Sequence, residues 1–151
     1  MPEDEIMRPF VQVATICQMP MQEANGSLSL IRIMDRLAVP GLTDEMPPTP
    51  LAQLHIVVIL KSGPMRGKYK WSIVAETPSR KRILGQEMTA LFEGEERGVA
   101  LISPVAVIAE EEGLYWFDVI VEQELLTRIP LRVMYQKMPG FPGMPFPPRT
   151  D

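Results

Sequence analysis

A chain of 151 residues that is 46% apolar has the length for one domain with its own core, while 16 prolines and 10 glycines leave little room for long helices. Fifteen basic residues against 19 acidic ones, a net charge of −4, exclude the basic face that a nucleic-acid footprint needs. The one cysteine, Cys17, has no internal disulfide partner and suits a reducing cytoplasm; the acidic opening MPEDEIMRPF is unlike a secretory signal, and the mostly apolar run 99–109 is too short for a membrane helix.

Residues 1–8 read as a solvated acidic arm, and the first strand is expected at FVQVATICQM (10–19). AsnGly at 25–26 is the strongest hairpin signal in the chain, because both residues tolerate positive φ, and a second strand is expected from Ser27. VPGLTDEMPPTP (39–50) has no periodicity and reads as a long crossover. LHIVVILK (54–61) is apolar on both faces, the pattern of a central strand.

SGPMRG (62–67) reads as a turn. KYKWSIVAE (68–76) then alternates cleanly, with Tyr69, Trp71, Ile73 and Ala75 on one face and charged or polar residues on the other. After a polar turn at 77–82, weaker strands are expected at 85–92 and 99–108, flanking the charged loop GluGlyGluGluArgGly (93–98). LYWFDVIVE (114–122) and LLTRIPLRVMY (125–135) form the closing antiparallel pair, in which Tyr115, Phe117, Val119 and Val121 face Thr127, Ile129, Leu131 and Val133. Pro104 and Pro130 cannot donate to a ladder, so each places its strand at an edge or a bulge.

Within GSLSLIRIMDRLAVP (26–40) the alternation slips: Leu28 and Leu30 share one face, and Ile31, Ile33, Asp35 and Leu37 the other. A β-bulge at 30–31 would carry the strand across the slip and turn Asp35 inward, where a carboxylate needs a guanidinium partner. Asp35 is expected to be a buried structural pin.

The chemistry of catalysis is sparse. His55 is the only histidine, so no two-histidine metal site exists within the chain, and it lies in an apolar strand as a core or rim residue. Cys17 reads as a buried, inert thiol, and the acidic runs 93–96 and 110–112 as solvated turns. No phosphate-binding glycine motif occurs. The expectation is a non-enzymatic binding or structural module without cofactor or metal, acting through a protein partner or self-association. The alternatives are a C2-like ligand or membrane-surface domain, or an enzyme with an unrecognised site.

Two apolar stretches are candidates for partner binding. Leu114, Trp116 and Ile120 lie on the face opposite Tyr115 and Phe117, and Phe141, Met144 and Phe146 are spaced by prolines in the tail QKMPGFPGMPFPPRTD (136–151).

NGSLSLIRIMDRLAVP, the ProSer turn at 78–79, GLYWFDVIVE and LLTRIPLRV together resemble a group of small uncharacterised bacterial proteins of unknown function, over roughly residues 9–135. The resemblance implies an immunoglobulin-like or C2-like antiparallel β-sandwich of seven or eight strands, with Asp35, Gly113, Tyr115 and Phe117 as fold positions. It brings no catalytic residue. GluGln at 122–123 stands where the pattern has an acidic residue plus glycine.

Overall fold

The computed structural model describes residues 8–139, and among them there is no helix. The strands are β1 (Phe10–Gln22), β2 (Leu28–Ile33), β3 (Arg36–Gly41), β4 (Thr49–Pro50), β5 (His55–Glu76), β6 (Arg82–Pro104), β7 (Ile108–Ala109), β8 (Gly113–Val121) and β9 (Glu124–Lys137). Seven of them form one mixed sheet in the order β2-β1-β5-β8-β9-β3, with β6 paired to β5 alone, and β4 and β7 form a small second sheet.

The sheet is organised by one long hairpin. Residues 62–67 do not reverse the chain as expected: β5 runs through them, and β6 runs through 93–98. The two polar, glycine-bearing stretches lie opposite each other, Gly63 beside Glu95 and Arg66 beside Glu93, with register shifts that bend both strands. Gly63 and Gly67 adopt φ of 56° and 118°, and the Glu93 amide donates to Ser62 Oγ at 3.2 Å. Past the bend β5 changes neighbour. Its first part pairs with β1, as in Thr15 opposite Val57, and its last part with β8, as in Ile73 opposite Val119. β5 is the central strand that its two apolar faces indicated.

Core residues come from both parts: Ile16, Ile56, Val58, Leu60 and Leu101 share one buried cluster with Trp71, Ile73, Phe92, Tyr115, Phe117 and Leu131. The closing pair packs as expected, with Tyr115 opposite Leu131 and Phe117 opposite Ile129. Pro104 lies on the single-sided strand β6. Pro130 precedes the residues of β9 that pair with β3.

Two expectations fail around residues 28–41. The register between β1 and β2 is constant from Gln22 opposite Leu28 to Cys17 opposite Ile33, so there is no bulge at 30–31. The slip has another cause: Leu37 belongs to a different strand. Arg32 takes a left-handed φ of 58°, the Met34 amide donates to Ile16 O at 2.8 Å, and after Asp35 the chain leaves β1 and runs parallel to β9 as β3. That parallel pair also corrects the all-antiparallel expectation. It is possible because the intervening chain is long enough to return in the same direction.

Asp35 is therefore no buried pin. Its side chain is 72% exposed and meets only Arg36 Nε, at 3.3 Å, while its backbone carbonyl accepts from the Arg132 amide at 2.8 Å. The acidic run 110–112 is also corrected, since its carboxylates act as backbone acceptors. Glu111 accepts from the Ser79 amide at 2.8 Å and Glu112 from the Tyr135 amide at 2.6 Å. Gly113 is fixed by space and dihedral together: its φ is 133°, and a Cβ there would lie 2.8 Å from Pro78.

Candidate interaction surface

Alternation along β1 and β5 separates two faces. Ile16, Ile56, Val58 and Leu60 enter the core, so Cys17, Val57 and Ile59 point away from it. The register extends that outer face across four strands. Met19 lies opposite Ile31 and Cys17 opposite Ile33, Val13 and Ala100 flank Ile59, and Ile102 lies opposite Val57.

A half-exposed sheet face is ordinarily polar, and this one is not. Ile33 is 64% and Met19 53% exposed, with Ile31, Met21, Phe10 and Ile102 also open to solvent. Lys61, opposite Phe10 at the far end, is the one charged side chain at the register positions of this face. Cys17 and Val57 are fully buried in its middle.

Beyond Cys17, β1 has β2 on one side and no strand on the other among the described residues. Residues 18–22 and 28–32 thus form a two-stranded arm, an arrangement of marginal stability alone in water. Its turn is the one that AsnGly announced, with Gly26 at φ 89° and the Glu23 amide donating to Ser27 O at 2.7 Å.

The outer side of the β5-β8-β9 region is different in kind. Asp118, only 5% exposed in its side chain, accepts from Arg128 Nε at 2.7 Å and an Arg82 terminal nitrogen at 3.2 Å. Glu76 meets the same two arginines at 2.8 and 3.5 Å. The hydrogen bond that Arg128 donates to Asp118 leads in raising the Arg128 pKa, with Glu76 reinforcing it and desolvation opposing it. Arg128 also covers the Trp116 ring at 4.6 Å.

Trp116, Leu114 and Ile120, the sequence candidates, are partly buried on this side. Trp116 and Leu114 border a cleft with Arg80 and Glu76, but the guanidinium over the indole makes it a packed, ion-bridged surface and no open apolar patch. Ile120 is not among that cleft's residues. Phe141, Met144 and Phe146 lie outside the described residues.

Sequence reasoning passed over the outer face of β1 and β2. Its signal was present, since FVQVATICQM and LIRI carry apolar residues at consecutive as well as alternate positions.

The single histidine sits at the rim: His55 Nδ1 lies 3.0 Å from Gln18 O. Burial raises the pKa of the Cys17 thiol, against a smaller lowering by the Met19 backbone. The Tyr115 hydroxyl is likewise pushed up by burial while it donates to Glu111 O at 2.8 Å. Among the described residues no three His, Cys, Asp or Glu side chains converge as a metal site, and no helix is long and apolar enough to cross a membrane.

No curated protein matches the chain. A family described as a family of unknown function, DUF6941, matches residues 12–134, from within β1 to within β9, and the chain belongs to that family.

Proposed function

We propose that the protein is a non-enzymatic β-sandwich module that acts through protein–protein contact, and that its contact surface is the outer face of β2, β1, β5 and β6. The bend in the β5–β6 hairpin and the single core cluster drawn from both sides of it support the sandwich reading. Exposed Met19, Ile31, Ile33 and Ile102 on a face with one peripheral charge carry the interaction reading.

The occupant is a second copy of the chain. Interfaces between identical subunits are the more apolar class, and their centres are depleted of charge. Two such faces related by a twofold axis need no complementary charges, and they stack as sheets about 10 Å apart. The marginal two-stranded arm gains cover from the same contact.

Sedimentation equilibrium of the full chain and of Ile33→Glu tests this. A dimer that becomes monomeric in the variant is the expected result; the side chain is exposed in the isolated chain, so the substitution leaves the fold intact. A wild type that stays monomeric across the micromolar range overturns the self-association reading. A dimer unaffected by Ile33→Glu moves the interface off this face.

A further inference from the structure

A second site, independent of self-association through the apolar face, is the stretch of β5 between its two neighbours on one side. β1 leaves β5 at Phe10, opposite Lys61, and β8 joins it at Trp71, opposite Val121. Between those points β5 has β6 on one side and no strand on the other among the described residues. Past the bend the β5–β6 register runs without a shift from Arg66 opposite Glu93 to Ser72 opposite Glu87. The Lys70 amide donates to Glu122 Oε1 at 3.1 Å and the Glu122 amide to Lys70 O at 2.7 Å, so the backbone polar groups of Lys70 face away from β6. Two residues earlier on the same ladder, those of Lys68 face the same open edge.

The exposed side chains here carry one sign of charge. Arg66, Lys68 and Lys70 recur at every second position, and none of them forms an ion pair among the described residues. Arg66 meets only a carbonyl, Glu93 O, at 2.9 Å. The chain ahead of β1 is already directed along this edge. Pro9 is buried, and a Cβ on Gly63 would lie 3.5 Å from the Phe10 ring and 3.9 Å from Arg8 O.

We propose that residues 2–7, PEDEIM, extend β1 as an added strand along this edge, setting Glu3, Asp4 and Glu5 against the row Arg66, Lys68 and Lys70. The antiparallel count runs on from Phe10 opposite Lys61. Taken residue for residue, or with one extra residue of β5 absorbed in the bend, it brings Ile6 or Met7 beside the buried Met65 and the acidic trio opposite residues 66–69. Residues 2–7 in extended form span about 20 Å, the length of β5 from Pro64 to Tyr69. Facing side chains of adjacent strands lie about 5 Å apart, within reach of an ion pair. An acidic segment tethered at Arg8 is held at an effective concentration of about millimolar, which favours it over a separate acidic peptide.

The test is carbodiimide coupling of the full chain, which joins a carboxylate to a lysine amine in contact with it, on an equilibrated equal mixture of unlabelled and ¹⁵N-labelled protein. Mass spectrometry of the digest should find residues 3–5 joined to Lys68 or Lys70, with both halves of each linked peptide of one isotope. Hydrogen exchange should show the Lys68 amide at least tenfold slower in the full chain than in a variant lacking residues 2–7, and than in one carrying Glu3→Lys, Asp4→Lys and Glu5→Lys together. The Val119 amide, in the closing pair, should exchange equally in all three and so report an intact fold. Absence of the link, or a Lys68 amide as fast in the full chain as in the variants, overturns the proposal. So do linked peptides of mixed isotope as frequent as unmixed ones, which assign the edge to a second copy.

Discussion

Replacing Asp118 by alanine removes the buried centre of the ion network on the outer side of β8 and leaves two guanidinium groups facing an apolar gap. Breaking a fully buried pair costs about 3–5 kcal/mol. Here the arginines are partly solvated, with Arg128 36% and Arg82 48% exposed in their side chains, and Glu76 keeps its 2.8 Å contact with Arg128. Solvent screening and the remaining carboxylate reduce the expected loss to about 2 kcal/mol. In a chain of this size each kcal/mol moves the midpoint by about 2–4 °C, so the melting temperature should fall by roughly 4–8 °C. Thermal denaturation followed by circular dichroism, with urea unfolding alongside, measures both quantities. A double-mutant cycle with Arg128→Ala should return a coupling of about 1–2 kcal/mol, as expected for groups in direct contact. An Asp118→Ala variant that melts with the wild type, or a cycle with no coupling, refutes the view that this network stabilises the fold.

Asp35→Ala should leave stability within about 0.5 kcal/mol of the wild type, since its one ion pair is exposed; paired urea curves decide. Arg80 holds a φ of 66° in an exposed turn, so Arg80→Gly should stabilise by about 1 kcal/mol, read as a raised melting midpoint. Folding raises the pKa of both Cys17 and Tyr115, so the stability due to their protonated forms is complete below the ordinary values of 9.0 and 10.0 and is lost as pH climbs past them. Urea midpoints should therefore decline in alkali, less steeply near pH 9 in Cys17→Ala, and native Cys17 should label slowly with a thiol reagent until denaturant is added; rapid labelling in buffer contradicts its burial. Gly98→Ala should cost about 3 kcal/mol or more, because its Cβ would collide with Leu60 O, a backbone atom that moves only with the strand; a melting curve within a degree of the wild type refutes the close approach.

Period-2 segments were legible wherever one partner and one core face governed a whole segment. Tyr69 to Ala75 and Tyr115 to Val121 show this, because every second residue there answers to the same buried cluster. The reading failed where one stretch of chain serves two partners. Residues 28–37 look like a single slipped strand, yet Ile33 answers to β1 and Leu37 to β9, and nothing local marks the change except Asp35 and the left-handed Arg32. It failed again at 62–67, where Gly, Pro and Gly spell a reversal and in fact permit a bend, because whether a glycine-rich stretch turns or bulges depends on the strand across from it. The outer face was readable as apolar but not as exposed. Met19, Ile31 and Ile33 are as compatible with a covered face as with an open one, and only their exposure in the fold, around a Val57 that is fully buried, separates the two. The acidic residues 111 and 112 are indistinguishable from a solvated turn until the amides of Ser79 and Tyr135 are brought to them by chain that is distant in sequence.

The β3–β9 pair sets the order in which the molecule can assemble. The β5–β6 and β8–β9 hairpins close over short turns and can form early, each losing little chain entropy, whereas Arg36 meets Arg132 only after most of the chain has been gathered between them. Docking of β3 is therefore expected after the two hairpins have formed. During synthesis on the ribosome, β2 and β3 emerge long before the strand that β3 must join, and the apolar side chains of Leu37 and Val39 wait uncovered until β9 arrives.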